Sequence, residues 1–323
     1  MKKPKQPDLF IPEPEGQPPS TNRGVTVSIH WLSITYFVNI VVAMTHFLKE
    51  FLGEEIEDEL EWSEYFYASE HGARGYRALY FGPEGIRLYG YPHTGQHCHL
   101  EIPGKVIEKY GNQKVIDYLK SLKEQDYEWR CKRVDIAFDY CPFTPLECYE
   151  AWQRGDVHSK CHRNSWDWRE NADGRTLYIG SRMSDRFIRI YDRRGFTRLE
   201  LEFKNRWSEN FARVITEIEP DQWIKQCIGY LIDFIDFNTS DPSSCVSWWE
   251  KFIDEAPSIK LDVSKSTNND PRGKLLNYFD KLIPTLYLLR KGCGMDINKV
   301  IDVSEHKLKP KHLRILNQLV GDG

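Results

Sequence analysis

Three consecutive runs within residues 175 to 204 alternate apolar and polar side chains with period two, so this part of the chain must form neighbouring β-strands. They are Arg175-Thr-Leu-Tyr-Ile-Gly180, Arg186-Phe-Ile-Arg-Ile-Tyr-Asp192 and Thr197-Arg-Leu-Glu-Leu-Glu-Phe-Lys204, with a turn over residues 181–185. Successive side chains of a strand point to opposite faces. The third run therefore sets Leu199, Leu201 and Phe203 against Arg198, Glu200, Glu202 and Lys204. The second sets Ile188 and Ile190 against Arg189, Tyr191 and Arg193. Residues 130–140 alternate in the same way, with Val134, Ile136 and Phe138 opposite Arg133, Asp135, Ala137 and Asp139. A sheet of such strands buries one face and keeps a densely charged other.

The rest of the chain supplies more strands and the helices to cover them. Six prolines in residues 1 to 24 indicate a flexible arm. A first strand starts at Val27, and residues 38–53 have helical spacing closed by Gly53. Residues 76–102 read as a meander with a turn at Gly82-Pro83-Glu84-Gly85, and 105–123 as a helix. Residues 145–154 start with a proline in the manner of a helix. After 204 the pattern is helical over 209–217, 221–234, 245–254, 271–292 and 296–319, with Pro284 and Pro310 interrupting the last two. The prediction is an α+β fold: a mostly antiparallel mixed sheet with helices packed on one side, followed by a helical C-terminal region. The expected organisation is an arm over 1–24, a sheet domain over 25–210 and a helical region over 211–323.

Composition narrows the function classes. With 40% hydrophobic and 28% charged residues the chain can fill a core, which excludes wholesale disorder. The longest apolar run, residues 34–48, is interrupted by Thr35, Asn39, Thr45 and His46, too short and polar for a membrane span. No secretory signal is visible, and the eight cysteines form no CxxC pair, so reduced thiols in a cytoplasmic protein are expected. The net charge of -4 speaks against a nucleic-acid partner until it is located along the chain. Residues 50–64 hold eight acids. Residues 175–206 hold nine Lys or Arg against four acids, and residues 258–323 hold twelve against seven. The charge is segregated, with two basic stretches and an acidic block.

If the three charged strands are neighbours, one face gathers several carboxylates, several arginines and Tyr191. Two readings fit it: a solvated sheet face, or an oxygen-ligand site for a hard divalent metal beside a tyrosine flanked by phosphate-binding arginines. A phenol attacks an anionic phosphodiester only when the charge is neutralised. A free Tyr has a pKa of about 10, so nearby cations are expected to favour its phenolate. His97-Cys98-His99 places two imidazoles on one strand face with Glu101 in line, by chance or as a metal pair with His99 the better candidate. Trp152, Trp166 and Trp168, near Lys160, Arg163 and Arg169, fit packing anchors of a loop or a base-stacking surface. His30 reads as a packed core or rim residue.

The run Leu177-Tyr-Ile-Gly-Ser-Arg-Met-Ser-Asp-Arg-Phe-Ile-Arg-Ile-Tyr-Asp-Arg193, followed by Arg198-Leu-Glu-Leu-Glu-Phe-Lys204, closely resembles plasmid rolling-circle replication initiators of the Rep_trans family. Trp31-Leu-Ser-Ile-Thr35, His99-Leu-Glu-Ile-Pro-Gly104 and Arg133-Val-Asp-Ile-Ala-Phe-Asp139 extend the likeness over about residues 27 to 210. The resemblance implies that Tyr191 nicks one origin strand, forming a 5′-phosphotyrosine and leaving a 3′-hydroxyl. It implies Asp135 and Glu200 as ligands of Mg2+ or Mn2+, with Asp139 and Glu202 as further candidates. Arg189, catalytic with the tyrosine, and Arg193 would contact the phosphates, and Arg186 and Arg198 would contact DNA. Lys265, Arg272 and Lys274 would lie in the origin-binding tail. The implied partners are plasmid origin DNA (supercoiled or hairpin, single-stranded at the nick), a second copy of the chain and a host superfamily 1 helicase, with no membrane. A relaxase-like initiator of an integrative element or phage would use the same residues. A non-catalytic DNA-binding regulator would need neither the tyrosine nor the metal.

Overall fold

The computed structural model describes residues 24–54, 62–125, 127–162, 165–172, 174–219, 222–238 and 245–253. The expected helices 271–292 and 296–319, with Lys265, Arg272 and Lys274, lie outside the described residues, as does most of the arm. Two compact units divide the chain, Met1–Asp262 and Val263–Gly323. All described elements belong to the first.

Its twelve described strands are β1 (Thr26–Tyr36), β2 (Tyr67–Ala68), β3 (Tyr76–Phe81), β4 (Arg87–Pro92), β5 (Cys98–Pro103), β6 (Trp129–Asp139), β7 (His158–Ser159), β8 (Trp166–Asn171), β9 (Gly174–Ile179), β10 (Arg186–Arg193), β11 (Phe196–Lys204) and β12 (Ile235–Asp236). Ten of them form one sheet in the order β2-β3-β4-β5-β1-β6-β11-β10-β9-β8, while β7 and β12 pair separately. Every pairing within the large sheet is antiparallel, so the α+β prediction holds with a sheet that is antiparallel throughout rather than mixed.

The described helices are α1 (Ile40–Phe47), α2 (Trp62–Tyr65), α3 (Gly104–Tyr110), α4 (Asn112–Glu124), α5 (Pro145–Arg154), α6 (Arg206–Ile215), α7 (Trp223–Phe234) and α8 (Ser247–Ile253). The continuous helix expected over 105–123 is broken into α3 and α4 at Gly111, whose φ of 84° only glycine adopts easily. Helix α5 begins with a full capping box, in which Thr144 and Glu147 satisfy each other's free backbone N–H groups. The helices cover the apolar sheet face. Phe211 and Tyr230 reach Phe203, Phe252 reaches Phe138, and Tyr118 meets the Tyr36 hydroxyl. Ile29, Ile34, Ile136, Leu177, Ile188, Leu199 and Leu201 are fully buried beneath them. Helices α6 to α8 belong to the first unit.

Two local devices set the opposite face. Strand β1 carries a bulge between Ile29 and Trp31 in its register with β6, so His30 is an extra residue there. The backbone nearby is satisfied by Asn112, whose Oδ1 accepts from Ile29 N at 2.8 Å and whose amide donates to Val27 O at 3.3 Å. Strands β10 and β11 are joined through Arg194 (φ 42°) and Gly195 (φ 90°), and two positive φ values in a two-residue loop suit the twist of a tight hairpin. This short turn keeps Tyr191 and Arg198 directly opposite each other.

Candidate active site on the charged sheet face

The register of β10, β11 and β6 builds the site in rows. Tyr191 faces Arg198, Arg189 faces Glu200, and Glu200 in turn faces Ala137. Glu202 faces Asp135, and Asp135 faces Trp31 of β1. Period two in three adjacent strands therefore brings Tyr191, Arg189, Glu200, Glu202 and Asp135 together on one face. The bulge in β1 adds His30 beside Glu200.

Each acid in this cluster is buried and paired. Asp135, 1% exposed, accepts two hydrogen bonds from Arg133 at 2.7 and 2.6 Å, and Arg189 Nη2 lies 3.3 Å from it. Glu200 Oε2 is 2.5 Å from Arg189 Nη2. Glu202 is held by Arg133 at 2.7 Å and Lys204 at 2.5 Å. Arg198, 3% exposed, forms a two-pronged pair with Asp139. The Arg189 Nε is buried and finds no hydrogen-bond partner among the described residues. A buried, unsatisfied cationic donor is costly, and an incoming oxyanion would satisfy it.

The Tyr191 hydroxyl donates to Glu200 Oε1 at 2.6 Å. Burial pushes the phenol well above its ordinary value, and the Glu200 carboxylate adds to the shift; Arg198 and Arg189 oppose it without overcoming it. The expectation that flanking cations would favour the phenolate is therefore corrected. The arginines are engaged by carboxylates, and the nearest charge to the phenol is negative.

The other expected residues divide between this cluster and elsewhere. Asp139 stands at its edge, taken up by Arg198. Arg193 lies on the same face, 3.5 Å from Glu108. Arg186 faces the helices instead: its guanidinium is sandwiched between Trp207 (4.1 Å) and Phe234 (4.3 Å), 3.5 Å from Asp233. Its place in the alternation, odd to even against Tyr191, is the reason. His99 lies on β5, with all of β1 between it and Asp135. It bonds Thr35 at 2.9 Å and stands 3.9 Å from Glu101, so it does not join the acids. Trp152 stacks on Trp166 at 5.3 Å and Tyr149 on Trp168 at 4.7 Å, the packing arrangement, with β8 an edge strand rather than a loop.

His30, read from the sequence as a packed core or rim residue, also reaches this cluster. Its Nε2 is 3.1 Å from Arg198 Nη1 and 3.7 Å from Glu200 Oε1, and its Nδ1 is 3.6 Å from Glu108. Gly104 makes this possible: a Cβ there would stand 2.2 Å from the His30 ring. Only the bulge brings His30 into the cluster, and a bulge leaves no mark in an alternating strand pattern.

A divalent cation can be tested against this donor set. Asp135, Glu200 and Glu202 are hard oxygen donors on adjacent strands, and they already converge on shared cationic nitrogens: Arg189 Nη2 contacts Asp135 and Glu200, and Arg133 Nη2 contacts Asp135 and Glu202. The donors fit a Mg2+- or Mn2+-type ion. Among the described residues, no three His, Cys, Asp or Glu side chains already stand as a ligand set, so such an ion would take oxygens that the two guanidinium groups now hold.

Among known proteins, the family model for replication initiation factors, Rep_trans, matches residues 129–301. A solved structure of a rolling-circle replication initiator protein from Geobacillus stearothermophilus aligns at TM-score 0.57 and 17% identity, covering 74% of this chain and 98% of its own. That likeness is one of fold. The regulatory subunit of aspartate kinase from Thermus flavus aligns over 60% of this chain and 96% of its own, but at 9% identity and TM-score 0.15, too low for a shared fold. No curated protein matches the sequence. Among the described residues no helix is long and apolar enough to cross a membrane.

Proposed function

Because the chain belongs to the Rep_trans family of replication initiation factors, we propose that it starts rolling-circle replication by nicking origin DNA and joining itself to the cut strand through Tyr191. The observation that carries this reading is the 2.6 Å hydrogen bond from the Tyr191 hydroxyl to Glu200, set among arginines on one sheet face. The Tyr191 oxygen attacks the scissile phosphorus as its proton passes to Glu200 Oε1. The bond from phosphorus to the 3′-oxygen breaks, and that oxygen takes a proton from water to leave as a 3′-hydroxyl, while Glu200 later returns its proton to water. The product is a 5′-phosphotyrosine, which a later 3′-hydroxyl can attack to rejoin the strand.

The raised proton affinity of Tyr191 suits this order of events. The phenol stays protonated in the resting site, and a positioned carboxylate removes the proton when phosphate arrives. Arg189, with its unpartnered Nε, binds a non-bridging phosphate oxygen. Arg198 acts from behind, fixing His30 and the edge of Glu200 rather than touching DNA. Asp135, Glu200 and Glu202 would hold Mg2+ or Mn2+, which when bound supplies positive charge to the reacting phosphate. Under the same reading the protein acts as a homodimer on supercoiled or hairpin-bearing origin DNA and engages a host superfamily 1 helicase.

The test uses purified protein, divalent metal and supercoiled plasmid bearing the cognate origin. Nicked circles and a covalent protein–DNA adduct are expected. Tyr191→Phe should keep DNA binding and form no adduct; an adduct from that variant would remove Tyr191 from its role. Glu200→Gln and Asp135→Asn should each weaken the metal dependence of nicking, and an unchanged metal response in both would reject them as ligands.

A further inference from the structure

The charged face continues past Tyr191 onto β9 and β8, where the chemistry above makes no use of it. Tyr178 is the cross-strand neighbour of Arg189, and Phe187 that of Glu202, so both rings lie on the Tyr191 face. They stack with centroids 5.9 Å apart and planes 18° from parallel. Phe187 is buried and Tyr178 half-buried. Two exposed arginines stand over them: Arg182 lies 5.0 Å from the Tyr178 ring and 6.0 Å from Phe187, and Arg169 lies 5.3 Å from Tyr178. Asp167 pairs with Arg169 at 2.8 Å, while among the described residues no carboxylate pairs with Arg182.

The turn that presents Arg182 is fixed. Lys204 Nζ donates to Arg182 O at 2.6 Å, Lys204 N to Asp185 O at 2.8 Å and Asn205 to the Asp185 side chain at 2.8 Å. Beside Arg182, Met183 projects into solvent, 91% exposed. From Tyr191 to Phe187 is four residues of extended strand, about 14 Å. Aromatic rings with cations alongside, in line with a site that acts on a phosphodiester, are what an unpaired strand requires: every base has a face to stack, and every linkage carries a negative charge.

We infer that Tyr178, backed by the buried Phe187, forms with Arg169 and Arg182 a seat for the single-stranded DNA leading away from Tyr191, with a base over the Tyr178 ring and phosphates at the two guanidinium groups. This rests on the proposed nicking function and adds where the substrate lies.

The experiment measures adduct formation and equilibrium binding with a single-stranded oligonucleotide spanning the nick sequence. Tyr178→Leu should raise KM about ten-fold, the size of a lost base stack, with kcat at saturating DNA unchanged. Arg169→Gln with Arg182→Gln should lower the slope of log affinity against log salt by about 1.4, or about 0.7 per lost phosphate contact on a single strand. Both arginines are exposed, so that double variant should melt as the wild type does. Wild-type KM and salt slope in both variants would overturn the seat, as would a fall in kcat with KM unchanged. The salt slope is read from binding alone. If the wild type forms no adduct, the nicking reading fails, while a reduced slope in the double variant still upholds the seat.

Discussion

His99→Gln separates a buried structural histidine from a metal ligand. The His99 side chain is 12% exposed, and its Nδ1 lies 2.9 Å from the Thr35 hydroxyl. Burial lowers its pKa from 6.5 to about 4, helped by the charges of Arg74, Lys132 and His97. In the unfolded chain the ring takes a proton near its ordinary value, while in the folded protein it refuses one until about pH 4. The stability it contributes is therefore complete above pH 6.5 and is lost as pH falls from there toward 4. A shift of this size corresponds to about 3 kcal/mol, at about 1.4 kcal/mol per pKa unit. At roughly 2–4 °C per kcal/mol the wild type should lose about 6–12 °C of melting temperature through this group alone. Glutamine can still bond Thr35 but does not titrate. Melting of both proteins from pH 7.5 to 4 isolates the effect, because His30, His46 and His97, also lowered by burial, remain in both. The wild type should fall more steeply over the window, and nicking by the variant at neutral pH should keep its metal response. Parallel melting curves, or loss of the metal response in the variant, would refute the placement of His99 outside the acidic cluster.

Arg186→Leu should destabilise the fold by about 2 kcal/mol, from two lost cation–π contacts, seen as a lower urea midpoint. Asp233 stays paired with Lys160, and the salt dependence of DNA binding should not change, since the guanidinium lies on the helix-covered face. Gly104→Ala should cost about 1–3 kcal/mol and reduce adduct formation, because the new Cβ displaces His30 from Arg198 and Glu200. Adding His30→Ala should recover only part of the stability in thermal melts, since the same Cβ would also stand 2.6 Å from the His30 carbonyl oxygen.

The strand alternation between 175 and 204 was enough to place Tyr191, Arg189, Glu200 and Glu202 on one face, because period two leaves no freedom once a register is assumed. The same rule applied strictly would have removed Arg186 from the DNA-facing set, since it has the parity of Ile188 and Ile190. His99 failed for a different reason. Its spacing from Glu101 was visible, but the order β5-β1-β6 that separates it from Asp135 depends on which strands pair, a long-range fact. His30 was hidden by the bulge. Strand β8 was hidden because Trp166, Trp168 and the charges between them alternate over only six residues.

The charge pattern of the site bears on what binding DNA must involve. Asp135, Asp139, Glu200 and Glu202 supply four negative charges, and Arg133, Arg189, Arg198 and Lys204 supply four positive ones, each acid in contact with at least one cation. The cluster is internally neutral, so its basic stretch of sequence does not by itself offer free positive charge to a phosphate. A phosphodiester entering it adds a negative charge to a buried, poorly solvated place, which is unfavourable unless a cation comes with it. Arg189 can turn its unpartnered Nε to the phosphate, yet the carboxylates it neutralises would then be left short. A divalent ion held by Asp135, Glu200 and Glu202 would resolve this, because it would replace the guanidinium charge on the acids and free the arginines for DNA. Metal and DNA should therefore bind with positive coupling, each tightening the other by the same factor. Asp135→Asn removes one acid and should shrink that factor, measured as the metal dependence of oligonucleotide affinity; equal DNA affinity with and without metal in the wild type would show that the arginines need no such release.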